Sequence, residues 1–357
     1  MPTRLCAAIL VLINATNALG TCLSADDVQN ESPTDKNITP SVLKVVFQDK
    51  PKASGLSESV AYEVLCQGFK IAEGPIWDHA NNQLLFSDVN SNEIHRWSAD
   101  KGHGVFLEPS GNTGYAPTFA EGVRGSNGLY FDPQGKLVVC QHGDRRMAIV
   151  ELTEGKPGKI ETIVDRFDGK RFNSPNDLTI AKNGDIYFSD PPYGFLNIAV
   201  SNPNENKMVF DKELRELDYC GIYCWSAKDQ TVRLLNKSMD FPNGMGLSAD
   251  EKWLYVNSSD MGKPHINRYS TKTGEGGLFF NGPFAEDDAG WFDGMKVHSN
   301  GNIYTAGPGG ILVISPEGKK VATIPIPAPA TNCCFGPDEK SLYITLFDSV
   351  AKLTLVE

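Results

Sequence analysis

Six short, oxygen-bearing side chains recur at equivalent points of a repeated phrase: Glu73, Asn127, Asn176, Asn243, Asp293 and Asn332. Two are acids and four are amides. An all-oxygen donor set suits a hard cation, and Ca2+ takes about six to eight such ligands. The subset Glu73, Asn176, Asn243 and Asp293 supplies two negative charges and two neutral oxygens. That set neutralises a divalent ion and leaves room for water or substrate. Asn127 and Asn332 then stand behind the ligands or serve turns. Asn and Asp also favour turns ahead of strands. That explanation suffices for one position and is weak for six, because Ser, Gly or Thr would serve a turn equally well. Asp177 is a second carboxylate, beside Asn176. His142 is a candidate base with a near-neutral intrinsic pKa, or a hydrogen-bonded structural histidine next to Gly143. Arg145 and Arg146 are either anchors for a polar substrate or partners in ion pairs.

The phrase itself says what positions these residues. An acid or amide is followed by a short apolar stretch, a polar turn and a β-rich run. Glu73-Gly-Pro-Ile-Trp77 leads to Leu84–Asp88, Asn127-Gly-Leu-Tyr-Phe131 to Leu137–Cys140, and Asn176-Asp-Leu-Thr-Ile180 to Ile186–Asp190. Asn243-Gly-Met-Gly-Leu247 leads to Leu254–Asn257, Asp293-Gly-Met-Lys-Val297 to Ile303–Thr305, and Asn332-Cys-Cys-Phe335 to Leu342–Thr345. Further strand-like runs follow most copies. Four short strands at a period near 50 residues are the mark of a propeller blade. The expected fold is all-β, a six-bladed β-propeller over residues 56–357 with a central divalent-metal site. Equivalent positions of the blades converge on the axis, so the six starting residues should meet there. A strand at Ala61–Phe69 precedes the first copy and is expected to close the ring through the last blade, since a ring otherwise ends on an open edge. The longest interval follows Asn176 and implies an inserted loop near Pro191–Glu216, a candidate lid.

The chain has 357 residues and a formal net charge of -11. Its acidity argues against nucleic acid as a partner, which needs a basic footprint. Residues 1–20 read as a secretory signal: Arg4, an apolar stretch from Cys6 to Ile13, and Ala18-Leu19-Gly20 as the cleavage site. That stretch is too short to span a bilayer, and no later one is long enough, so no membrane span is expected. The mature chain is expected to be secreted, or periplasmic in a bacterium. Residues 21–55 read as a mostly irregular linker with one strand near Val42–Phe47. Cys22, Cys66, Cys140, Cys220, Cys224, Cys333 and Cys334 lack zinc-site spacing and read mostly as buried apolar residues. Asn37, Asn236 and Asn257 fit glycosylation tripeptides, a chance-prone pattern. The sequence sets neither disulfide pairing nor oligomeric state.

Glu73-Gly-Pro-Ile-Trp77, Phe172-Asn-Ser-Pro-Asn-Asp177, Pro242-Asn-Gly-Met245 and Phe292-Asp-Gly-Met295 resemble the motifs of the gluconolactonase/regucalcin (senescence marker protein) family. Cys140-Gln-His-Gly-Asp-Arg-Arg146 and the Arg171–Asp177 run resemble its microbial gluconolactonase branch. The match covers roughly Ala61 to Glu357 in order. The resemblance implies a six-bladed propeller with an axial divalent metal held by Glu73, Asn176, Asn243 and Asp293. It implies ring-opening hydrolysis of a sugar lactone, with the metal polarising the carbonyl and Asp293 as the favoured base; Asp177 shares that role or orients substrate. Ca2+ is the favoured ion, with Zn2+, Mn2+ and Mg2+ as alternatives. The family places substrate-contacting polar residues near Arg171 and Asn173; Ser174-Pro175 departs from the shorter animal pattern, so which of the two contacts substrate stays open. Asn127 and His142 complete the expected substrate contacts. Two competing readings are a calcium-dependent arylesterase or phosphotriesterase, and a non-catalytic calcium- or ligand-binding propeller.

Overall fold

In the computed structural model, residues 40–48, 56–197, 200–201, 208–285, 288 and 290–356 are described. The expected signal at 1–20, most of the expected linker, Cys22 and Asn37 lie outside them. Among the described residues, six antiparallel sheets of four or five strands follow one another along the chain, with a separate two-stranded hairpin. Their innermost strands are Ala72–Asp78, Ser126–Phe131, Leu178–Ile180, Pro242–Leu247, Met295–Val297 and Ala330–Phe335. Each sheet is one blade, so the six phrases become the six-bladed propeller expected.

The strands take their burial from this stacking. Second strands such as Gln83–Asp88 and Ile186–Asp190 are buried at every position, because a neighbouring blade covers each face. Outer strands such as Lys156–Val164 are mostly exposed or half-buried. The apolar core is therefore divided. One cluster joins Leu85 and Ile94 of the first blade to Leu129 and Val139 of the second. Others repeat the pattern between successive blades: Cys140 with Phe188, Ile222 with Met245, Tyr255 with Phe292, Ile311 with Ile344, and Phe86 with Cys334. Truncating one such buried side chain to Ala costs about 2–5 kcal/mol. The hairpin between the first two strands of each blade carries a left-handed residue: Asn82, Gly135, Gly184, Glu251, Gly301 and Glu339. These are the polar turns of the phrase.

The strand that closes the ring is Ser59–Gln67, paired antiparallel to Ser349–Thr354 of the last blade. The segment expected to hold one strand over Val42–Phe47 holds two, split at the buried Val45. Ser41–Lys44 pairs with Ser59–Gln67 in the sixth blade, and Val46–Phe47 pairs with Lys320–Ile324 in the fifth. The chain thus ties two adjacent blades from outside. Cys66, Cys140, Cys220, Cys224, Cys333 and Cys334 are all buried. Asn257 is fully buried, with its amide on the Asp293 carbonyl, so its tripeptide is closed to a glycan in the folded protein. Among the described residues no helix is long and apolar enough to cross a membrane.

Candidate active site

Four of the six innermost strands start irregularly, and that irregularity aims the functional side chains there. Pairing with the second strand slips between Glu73 and Ile76, Ser126 and Leu129, Pro242 and Met245, and Ala330 and Asn332. Such bulges turn a side chain out of the strict alternation of a strand. Neighbouring blades then bond across the break: the Gly128 N–H donates to the Asn176 carbonyl at 2.8 Å, and the Gly244 N–H to the Asp293 carbonyl at 3.0 Å. Second-strand side chains hold the same layer. The Ser87 hydroxyl donates to the Asn127 carbonyl at 2.8 Å, and the Asn257 amide to the Asp293 carbonyl at 2.5 Å.

A cavity of about 150 Å³ opens at this end of the axis. Glu73, Asn127, His142, Asn176, Asn243, Ser259 and Asp293 line its polar part. Ile71, Val89, Val123, Trp291 and Phe347 form one apolar wall. Tyr193, Leu196, Ser201 and Met208 of the insertion also line it. A cavity of this size accepts a single six-membered ring.

The amide nitrogens have partners in the surrounding layer. Asn243 Nδ2 donates to Ser259 Oγ at 2.9 Å, and Ser259 Oγ donates to the Phe292 carbonyl at 2.6 Å. The Nδ2 atoms of Asn127 and Asn176 each lie 3.4 Å from His142 Nε2. Burial pushes the His142 pKa down to about 4, so the ring is neutral near pH 7, and its single Nε2 lone pair is shared between the two amides. The Asn127 Oδ1 is buried and has no hydrogen-bond partner among the described residues. An orphaned buried oxygen beside two carboxylates fits an oxygen-seeking cation.

The carboxylates crowd each other. Burial, then the charge of Asp177, lifts Glu73 to about 7; the Gly74 N–H and the Asn332 amide, donating to Glu73 Oε2 at 2.8 and 3.0 Å, pull the other way. Burial and then Glu73 push Asp293 well above the usual carboxylate range, opposed by the Trp291 indole N–H on Oδ2 at 3.3 Å. Asp177 is raised by burial and held back first by Lys296. It accepts the Leu178 N–H at 2.8 Å and the Asn332 amide at 3.3 Å. Among the described residues no three His, Cys, Asp or Glu side chains form a metal-ligating group. The axial set is two carboxylates with amide side chains beside them, and buried like charges that a cation would relieve. This donor chemistry fits a hard divalent ion.

A family model described as SMP-30/Gluconolactonase/LRE-like region matches residues 71–348. The chain belongs to this family. It is 33% identical to the gluconolactonase of Zymomonas mobilis, over 98% of this chain and 95% of that protein. It is 27% identical to the regucalcin of Xenopus laevis, over 79% of this chain and 85% of that protein. The solved gluconolactonase of Xanthomonas campestris superposes with a TM-score of 0.72 at 26% identity, covering 91% of this chain and 97% of that one.

Within this member of the SMP-30/gluconolactonase family, Glu73, Asn127, His142, Asn176, Asn243 and Asp293 meet at the cavity, and three other expectations need correction. Asp177 is buried but does not line the cavity; it lies in the layer bonded to Asn332. Arg171 does not line it either: Nη1 binds Asp165 Oδ2 at 3.1 Å and the guanidinium lies 5.4 Å from the Tyr115 ring centre. Asn173 is fully buried away from it, donating to the Asp190 and Tyr219 carbonyls and accepting from Arg215 Nε. Both are consumed by contacts of the run that leads into Asn176. Arg145 and Arg146 are structural too. Arg145 Nε donates to the Phe172 carbonyl at 2.8 Å, and Arg146 pairs with Asp144 at 3.1 Å. Sequence reasoning missed Lys296, Ser259 and Tyr193. Lys296 and Ser259 looked like ordinary strand-end residues, and Tyr193 was legible only as part of the insertion.

Proposed function

We propose that this chain is a metal-dependent lactone hydrolase acting on a small sugar lactone of the gluconolactone type. The observation that carries the reading is that buried Glu73 and Asp293 line one cavity together with the amide side chains of Asn127, Asn176 and Asn243. The resemblance to gluconolactonases over nearly the whole chain supports the same reaction. Glu73, Asn176, Asn243 and Asp293 would hold the ion, and we take it to be Ca2+ because every donor is oxygen and two are neutral amides. Bound there, a divalent cation supplies a Lewis acid for the lactone carbonyl and favours the ionised forms of nearby carboxylates and water.

The chain's own residues do the rest. Asp293 accepts a proton from the attacking water as its oxygen bonds to the carbonyl carbon. The ring C–O bond then breaks, and the proton returns to the leaving alkoxide. His142, with Nε2 at 3.4 Å from both amide nitrogens, orients Asn127 and Asn176. The apolar wall and the insertion keep bulk water from the reacting face.

The test is proton release in a pH-stat on glucono-δ-lactone, with Ca2+ and after EDTA treatment. Turnover with Ca2+ that EDTA removes and Ca2+ restores is the expected result. EDTA-insensitive turnover overturns the metal role, and Ca2+ binding with no turnover on any lactone points to a non-catalytic binding propeller. We also infer export, supported by the signal-like residues 1–20. N-terminal sequencing of protein recovered outside the cell should begin near Thr21.

A further inference from the structure

Trp291 stands two residues before Asp293 in the run that enters the strand Met295–Val297. Its indole N–H donates to Asp293 Oδ2 at 3.3 Å. Its ring packs on the cluster of Ile71, Val89, Val123 and Phe347, with the Phe347 centroid 6.0 Å away at 60°. Every member of that cluster lines the cavity, as does Trp291 itself. The indole is only partly buried, so it is not sealed into a blade interface as Phe292 beside it is. One side chain thus presents an apolar face to the cavity and a hydrogen-bond donor to a carboxylate on its floor.

We propose that Trp291 is a positioning residue with two separable roles: its N–H fixes the rotation of the Asp293 carboxylate, and its ring, with Phe347, forms the wall against which the lactone ring lies. The proposal rests on the lactonase reading of the same cavity. The first role follows from the bond to Oδ2, because a carboxylate held at one oxygen presents the other in a fixed direction. Partners behind a metal-binding or catalytic group typically change affinity or rate by about 10–100-fold when removed. The second role follows from shape. The carbon face of a ring buries area against aromatic side chains without needing a matched hydroxyl.

Two substitutions separate the roles. Trp291→Phe keeps an aromatic face and removes the donor, whereas Phe347→Leu keeps the donor and removes part of the wall. The full chain is assayed on glucono-δ-lactone with Ca2+ for kcat and KM, and each variant is titrated calorimetrically with Ca2+ alone. Trp291→Phe should lower kcat about tenfold and weaken Ca2+ binding about tenfold, with KM within about twofold. Phe347→Leu should raise KM about threefold to tenfold and leave kcat and Ca2+ affinity within about twofold. Wild-type kcat and Ca2+ affinity in Trp291→Phe overturn the orienting role. An unchanged KM in Phe347→Leu overturns the wall. A wild-type protein that opens no lactone overturns the lactonase reading and the wall together, while the Ca2+ titration of Trp291→Phe still decides the orienting role.

Discussion

Four of the six blades follow their axial residue with glycine, and two do not. Gly74, Gly128, Gly244 and Gly294 stand after Glu73, Asn127, Asn243 and Asp293, whereas Asp177 follows Asn176 and Cys333 follows Asn332. At each of the four, a Cβ would strike the next blade: 2.1 Å from the Asn127 carbonyl oxygen at Gly74, 2.8 Å from Asp177 Oδ1 at Gly128, 2.3 Å from the Asp293 carbonyl oxygen at Gly244, and 1.9 Å from the Asn332 side chain at Gly294. The glycines let the ring close, and the two exceptions fill the space so released. The Asp177 and Asn332 side chains meet across the axis, from the third blade to the sixth. The ring is therefore two layers, with ligand-type side chains at the cavity and a packed polar layer behind them.

The largest expected effect breaks the distinction between acids and amides in the front layer. Asp293→Asn keeps the shape and removes the proton acceptor. The kcat on glucono-δ-lactone should fall by about 10²–10⁴-fold, the usual range for losing a general base. Turnover near wild type in the pH-stat would move the base to another group.

Next comes the glycine contrast. Gly244→Ala forces a methyl onto backbone of the fifth blade, which cannot swing aside, and should cost about 1–3 kcal/mol. Gly277→Ala, in an outer strand with nothing within 4 Å of its would-be Cβ, should change stability by less than about 0.5 kcal/mol. Thermal unfolding of the two variants side by side checks the difference. Equal midpoints would mean that the ring does not depend on these close approaches.

This contrast also shows what could be read from the sequence. The repeated phrase made the fold legible, because an acid or amide, a polar turn and two β-rich runs recur for a geometric reason. The front layer was legible for the same reason: equivalent positions in a ring must converge. Asp177 and Asn332 were visible as members of the phrase, but their meeting across the axis was not, since no local pattern records a contact between opposite blades. Lys296 gave no signal, because a lysine in Met295–Val297 looks like any solvent-facing strand residue. Arg171 and Asn173 misled for the opposite reason. They adjoin Asn176 in sequence, but the chain bends sharply there, and their polar atoms are taken by Asp165, Asp190 and Tyr219.

The back layer has its own smaller test. Lys296 is partly accessible yet ringed by protein, and its Nζ donates to the Met295 carbonyl at 3.1 Å. Burial pulls its pKa down, but the charge of Asp177 and its other neighbours more than reverses this, leaving it raised. Lys296 in turn holds down Asp177, whose pKa burial raises. An acid whose folded pKa lies above its unfolded value of about 3.9 contributes stability below that value and loses it as pH rises through the folded pKa. Removing Lys296 lifts Asp177 further and enlarges that loss. Lys296→Met should therefore match wild type most closely near pH 4 and fall behind it as pH rises toward 8, by on the order of 1 kcal/mol. Unfolding midpoints of EDTA-treated protein across that range measure the gap, and a gap that stays constant with pH would remove Lys296 from the account of Asp177.

The smallest effect is expected outside both layers. Arg171 has a charge and a place in the chain that suggest substrate contact, yet its guanidinium is spent on Asp165 and the Tyr115 ring. Ion pairs of this partly exposed kind contribute about 0–1 kcal/mol. Its own backbone N–H, which donates to Glu216 at 2.8 Å, survives any change of side chain. Arg171→Ala should leave kcat/KM within about twofold of wild type. A tenfold rise in KM would mean that the insertion rearranges to bring Arg171 to the substrate, and the line drawn between the axial layers and their surroundings would have to move outward to include it.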